Sequence, residues 1–300
     1  MTEIQKKTLI GCVCAVSCEI LFGLSYLFTK KITSDVDAVT LLGWRFLLAF
    51  IMMNALLIAG YININIKKKH LPSLLKIAVL QPIAYFTCET FGIQMTTASE
   101  SGSIIACIPI ASLVASILFL QKKPTRFQTS GICLTVVGVI VCVTAKGFES
   151  SFSGIGYIML CMAVLSYSLY CVSAEKADKT TSIEKTYVMI ACGACFFATM
   201  AIARSIAADT VVDLFMLPFQ NTVFLFSILY LGIASSVLSF VLFNISISSI
   251  GTNKASSFVG ISTAVVFILD EKFSAMQCYG TLIILLGVYI ANMKSRFFWR

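Results

Sequence analysis

Glu19 and Glu89 each stand inside a long apolar run, and Arg45 stands inside a third. A charge in hydrocarbon costs at least about 2.5 kcal/mol, so such groups are expected to face one another, a watery cavity or a ligand. With the three runs ending or starting on the same side near residues 28, 38 and 95, Glu19, Arg45 and Glu89 lie 9, 7 and 6 residues from that boundary. That is on the order of 10 Å at the helical rise. The three are therefore expected to share a layer, where they could touch. One Arg between two carboxylates leaves a negative charge unbalanced. Such a cluster can bind a proton or an organic cation, or it can serve as an ion pair locking three helices.

Helical spacing places polar partners beside these acids. Glu19, Gly23 and Tyr26 fall at i, i+4 and i+7, and Gln81, Tyr85 and Glu89 at i, i+4 and i+8, so each acid lies on one face of its helix. A third stripe joins Ser166, Tyr170 and Ser173, with Tyr167 beside it, and a fourth runs through Ser235, Ser239 and Asn244. The tyrosines and Asn244 are candidate cavity-lining residues, while serines at these spacings also serve as plain packing between helices. Pro109 is expected near the middle of its segment, where the missing backbone donor would kink the helix and free a carbonyl towards a cavity.

The elements that must hold these side chains follow from composition. The chain is 58% hydrophobic and 12% charged, with mean hydropathy +0.94, far from a soluble domain. Ten segments are long and apolar enough to be read as spanning helices: 10–28, 38–60, 74–95, 102–120, 127–145, 154–174, 186–206, 222–246, 255–269 and 275–293. The first follows Lys6 and Lys7 as a signal peptide would, but it is long and lacks a small-residue cleavage pattern, so it is expected to be retained. The long extramembrane stretches are then 61–73 and 207–221. Placing the N-terminus inside puts 16 Lys and Arg on the cytoplasmic side and 5 outside, with Arg45 buried in the membrane. This bias predicts both termini in the cytoplasm.

The two halves run in parallel register. Gly11 to Lys31 is in step with Gly156 to Lys176, and Gly131-Ile132-Cys133-Leu134 through Gly138-Val139 matches Gly280-Thr281-Leu282-Ile283 through Gly287-Val288. Five helices per half, an odd number, make the second half enter the membrane upside down. The expected fold is an all-α membrane protein of ten transmembrane helices as two inverted five-helix repeats, 10–146 and 154–293. Gly131 with Gly138, and Gly280 with Gly287, are spaced for close helix packing.

Several functions are set aside by the same residues. The net charge of +8 is scattered between apolar spans and forms no basic stripe with interleaved aromatics, so no nucleic-acid partner is expected. The single histidine, His70, lies in a basic turn with no carboxylate partner, and no Gly-x-x-x-x-Gly-Lys-Ser/Thr loop is present. Neither an enzyme nor a cofactor or metal site is expected. Most of the twelve cysteines lie inside apolar segments as small packing residues, Cys192 and Cys195 included.

In its order of motifs the chain resembles the drug/metabolite transporter superfamily, of the EamA type. The resemblance rests on Phe22-Gly23 followed by Lys30-Lys31, Trp44-Arg45-Phe46, Thr96-Thr97-Ala98-Ser99 running into Pro109, and Gly131 through Gly138. In the second half it rests on Tyr230-Leu231-Gly232-Ile233, Asn244, Gly251-Thr252-Asn253-Lys254-Ala255-Ser256, Glu271-Lys272 and Gly280 through Tyr289. It implies a carrier in the bacterial inner membrane that moves a small organic solute (an amino acid, metabolite or drug-like compound) by alternating access; the buried acids Glu19 and Glu89 add protons as a candidate coupling partner. One departure stands out. Glu100 matches Lys254 at an offset of 154 but Lys122 matches Glu271 at 149, so the second repeat is five residues shorter around its ninth segment, which also lacks the counterpart of Pro109. That shortening favours a second reading: a non-transporting sensor, partner subunit or degenerate paralogue.

Overall fold

A computed structural model describes residues 2–33, 35–96, 101, 104–144, 153–268 and 275–292, and among them the chain is helical with no strand. The helices are α1 (Glu3–Thr33), α2 (Ala38–Ile58), α3 (Lys68–Met95), α4 (Ile108–Leu120), α5 (Arg126–Thr144), α6 (Gly154–Lys176), α7 (Ser182–Ala207), α8 (Val211–Gln220), α9 (Thr222–Ile250), α10 (Thr252–Ser257), α11 (Gly260–Ile268) and α12 (Ala275–Asn292). Each of the ten expected segments carries a helix. Six helical stretches, in α1, α2, α3, α6, α7 and α9, are by themselves long and apolar enough to cross a membrane, and shorter apolar helices accompany them.

Several starts are fixed by side chains that satisfy the orphan donors of a helix N-terminus. Asp37 accepts from Val39 and Thr40 N–H at the start of α2, and Ser153 caps Gly156 at the start of α6. Thr181 and Glu184 form a reciprocal capping box on α7, and Asn221 caps Phe224 on α9. Asp37 also pairs with Arg204 in the last turn of α7, at 3.0 Å.

The packing crosses between the halves. α1 lies on α9 and α11, and α6 lies on α3 and α4; α2 lies on α7, and α5 on α12. Without a hydrophobic force between apolar helices in lipid, such contacts depend on small residues that let backbones approach. The glycines spaced seven apart meet here. A Cβ on Gly138 would sit 2.7 Å from the Ile284 nitrogen and 2.8 Å from the Gly280 carbonyl oxygen, and one on Gly287 would sit 2.7 Å from the Gly131 carbonyl oxygen. Gly131 thus faces Gly287 and Gly138 faces Gly280, so α5 and α12 run antiparallel. Exchanging each residue for its sequence match carries one of these contacts onto the other.

Three local features differ from expectation. α3 and α9 each contain a π-helical stretch, Val79–Ala84 and Tyr230–Leu238, with Gln81 inside the first in extended geometry (φ −145°, ψ 121°). The 207–221 stretch is not bare connection: it forms α8, which buries Leu214 and Pro218 and exposes Val212, Phe215, Met216 and Phe219, the pattern of an interfacial helix. Trp44 Nε1 donates to the Leu214 carbonyl at 3.1 Å and holds it against α2. The shortened ninth segment is split into α10 and α11, with Phe258 and Val259 in a turn between them.

Pro109 belongs with these corrections. The chain turns at Ala106 and Cys107, and Pro109 falls in the first turn of α4. There the absent N–H is an orphan in any case, so the proline starts a helix where a mid-helix kink was expected.

Candidate functional site

Glu19 lies on α1 at 1% exposure, and its carboxyl Oε1 has no hydrogen-bond partner among the described residues. Beside it stands Ser262 of α11, whose hydroxyl donates to the Val259 carbonyl at 2.7 Å and so faces Glu19 as an acceptor. Gly23, one turn on, explains the reach: a Cβ there would lie 2.8 Å from the Ser262 carbonyl oxygen, so only a glycine lets α11 come this close. Gly23 is thus a packing residue. The side chain of Tyr26, the third member of the stripe, lies outside the described ones.

Arg45 does not join Glu19. It is 5% exposed; its Nε donates to Ser236 Oγ at 2.8 Å and its Nη2 to Ser235 Oγ at 3.0 Å. The guanidinium stands over the Phe86 ring, 4.6 Å from its centroid, and is within electrostatic range of Glu89. Glu89, half-buried on α3, accepts from Tyr85 Oη at 2.7 Å. The expected single layer is therefore two centres, Glu19 with Ser262 and Arg45 with Glu89. Azimuth decides contact between helices, and residue counts from a boundary carry no azimuth.

Aromatic rings fill the space between the centres. Tyr85 and Tyr167 meet at 5.3 Å between centroids; Tyr167 reaches Tyr170 and Phe243 at 5.7 Å each, and Phe86 stacks on Phe240 at 6.3 Å. Tyr167 is within electrostatic range of Glu19, and Tyr85 within range of Arg45. A carboxyl group beside electron-rich rings in a water-poor interior suits a proton or an organic cation. Tyr170 instead donates to Asn244 Oδ1 at 3.2 Å, and Asn244 Nδ2 donates to Thr186 Oγ1 at 3.1 Å. Asn244 is fully buried and spends itself on protein partners, so it ties α9 to α6 and α7.

The serines missed by any charge argument hold the π-helical stretches. Ser236 and Ser239 donate to the carbonyls of Leu231 and Ala234, five residues back, and Ser166 of α6 donates to the Leu80 carbonyl of α3 at 2.8 Å. A π-helix widens the turn and leaves carbonyls in need of donors, and such bulges concentrate at functional positions. Arg45 seals one of them through Ser235 and Ser236. Arg45→Lys keeps the charge but cannot fork across two hydroxyls; we expect a loss of about 1–3 kcal/mol, the worth of charge-assisted hydrogen bonds. A thermal unfolding scan in detergent checks this, and an unchanged midpoint would assign Arg45 no structural part.

Comparison with known proteins agrees with this architecture. The model of the EamA-like transporter family matches twice, at residues 9–144 and 154–293. An uncharacterized transporter of Bacillus subtilis (strain 168), YcxC, is 31% identical over 289 residues, covering 94% of this chain and 92% of its own. An uncharacterized transporter of Methanothermobacter thermautotrophicus is 24% identical over 97% of this chain and 88% of its own. A protein crystal structure superposes with a TM-score of 0.76 at 14% identity, over 96% of this chain and 98% of its own, and shares the fold.

Proposed function

We propose, from the premise that the chain belongs to the EamA-like transporter family and is a multi-pass membrane transporter, that it is a secondary carrier for a small organic solute. Ten helices cross the inner membrane as two inverted five-helix repeats, 10–146 and 154–293, with both termini in the cytoplasm. The antiparallel glycine contacts of α5 and α12, each the image of the other, support the inversion. The 16 to 5 distribution of basic residues supports the orientation.

The observation that carries the mechanism is Glu19: a buried acid with an unpartnered oxygen, walled by Ser262 and Tyr167. A proton or the cationic group of a solute neutralises it, and whichever occupies it biases the bundle between states open to opposite sides. Tyr85, Glu89, Tyr167 and Tyr170 form the aromatic and polar wall against which the solute rests. Arg45 and Asn244 brace that wall, while Tyr26, by its place in the sequence of α1, and Pro109, in the first turn of α4, are further candidates for the solute's path. The test is accumulation in proteoliposomes of solutes first selected by thermal shift from amino acids, organic cations and aromatic metabolites. Accumulation under an imposed pH gradient supports the reading; no accumulation of any stabilising solute sinks it.

Topology has its own test. In a cysteine-free background, Lys68→Cys should react with an impermeant maleimide only after permeabilisation, and Thr210→Cys in intact cells. The reverse at both positions would overturn the orientation.

A further inference from the structure

One seam of small polar residues is used by nothing described so far. On α4, Ser112 and Ser116 are one turn apart; on α6, Ser168, Cys171 and Glu175 follow at i, i+3 and i+7; on α10, Thr252 and Ser256 are again one turn apart. These spacings put each set on one helix face. The three helices pack together: Ser112 Oγ donates to Ser168 Oγ at 3.2 Å, Thr252 Oγ1 donates to the Cys171 carbonyl at 3.0 Å, and α4 lies on α10. α4 comes from the first half and α6 and α10 from the second.

The seam is shut yet polar. Ser112, Ser116 and Ser256 are 0% exposed, and the hydroxyls of Ser116 and Ser256 have no hydrogen-bond partner among the described residues. Burying an unpaired hydroxyl costs about 1–3 kcal/mol, and apolar side chains would close the same space without that cost. From its Ser112 and Ser168 end the seam passes Cys171, within electrostatic range of Glu19. At the other end it meets Glu175, which accepts from the Thr252 backbone N–H at 2.8 Å and pairs with Lys122, just beyond the end of α4. Gly251, with φ +79°, turns the chain so that the first N–H of α10 points at that carboxylate.

We propose that this seam is the closed cytoplasmic half of the transport pathway, a strip of hydroxyls that water and a small polar or cationic solute wet when it opens, and that Glu175 is its latch. The carboxylate ties α4 through Lys122 and α10 through Thr252 to α6, so releasing it frees elements of both halves together. The exposed Lys122 ion pair is the weaker part; the hydrogen bond to an orphan helix N–H is the stronger. This inference rests on the carrier reading and its orientation, but it is tested without any solute.

In a cysteine-free background, Ser116→Cys, Ser256→Cys and a variant keeping only native Cys171 are exposed to an impermeant maleimide in inside-out vesicles. All three should react slowly, and adding Glu175→Gln should speed them about tenfold, the shift that losing a charge-assisted hydrogen bond produces. Lys122→Gln should give a smaller rise. Leu118→Cys, on the exposed face of α4, should not respond to Glu175→Gln. Unchanged rates at the seam positions, or a parallel rise at Leu118→Cys that marks general loosening, would overturn the proposal. Should the rates shift while no solute accumulates in proteoliposomes, the gate stands and the carrier reading falls.

Discussion

In proteoliposomes, Glu19→Gln is expected to abolish solute accumulation driven by a pH gradient while leaving exchange of internal for external solute at a measurable rate. The amide keeps the size of the side chain and can still meet Ser262 across the gap that Gly23 opens. What it loses is the ability to take up and release a proton. Coupling requires that the charge at this position change between the two states, because a ligand shifts an equilibrium only by its differential affinity for them. Exchange requires only that the loaded site be reachable from both sides. The expected drop in accumulation is at least about a hundredfold, the consequence of losing a group on which every cycle depends. Wild-type accumulation and pH dependence at equal protein level would remove Glu19 as the coupling residue.

The second large effect is on folding. Gly138→Val is expected to destabilise the protein by at least about 3 kcal/mol, beyond ordinary overpacking, because the new methyls meet backbone and not the flexible end of a side chain. The nearest atoms are the Ile284 nitrogen at 2.7 Å and the Gly280 carbonyl oxygen at 2.8 Å, and neither can move without shifting α12 as a whole. Gly154, with no described atom within 4 Å of where a Cβ would stand, is the control: Gly154→Val should stay within about 0.5 kcal/mol. Size-exclusion profiles of detergent extracts and their thermal midpoints read both. Equal midpoints for the two variants would mean that the α5 and α12 backbones are not in the contact described.

The glycine register shows what the chain makes legible before folding. Gly131, Gly138, Gly280 and Gly287 announce themselves because a missing side chain at a seven-residue interval on an apolar helix has few other uses. The helices were equally plain, since hydrocarbon demands about twenty apolar residues in a row. The pairing of charges was not. Residue counts make Glu19, Arg45 and Glu89 look like neighbours, yet Arg45 turns to Ser235 and Ser236, residues that look like packing serines until a π-helical stretch rotates them towards it. One extra residue in a turn rotates everything after it by about 100°, and no period in the sequence records that step. Pro109 misled for a related reason: a proline marks a break, but whether it ends one helix or begins the next depends on residues that need not themselves be proline or glycine.

The contact of α5 with α12 has one more implication. Gly131 meets Gly287 and Gly138 meets Gly280 between helices far apart in the chain, so the contact itself sets their register. The fastening between the halves lies in these two helices and in the crossed pairings of α1 with α9 and α6 with α3. A gene cut between residues 144 and 154 is therefore expected to yield two fragments that meet again through these faces.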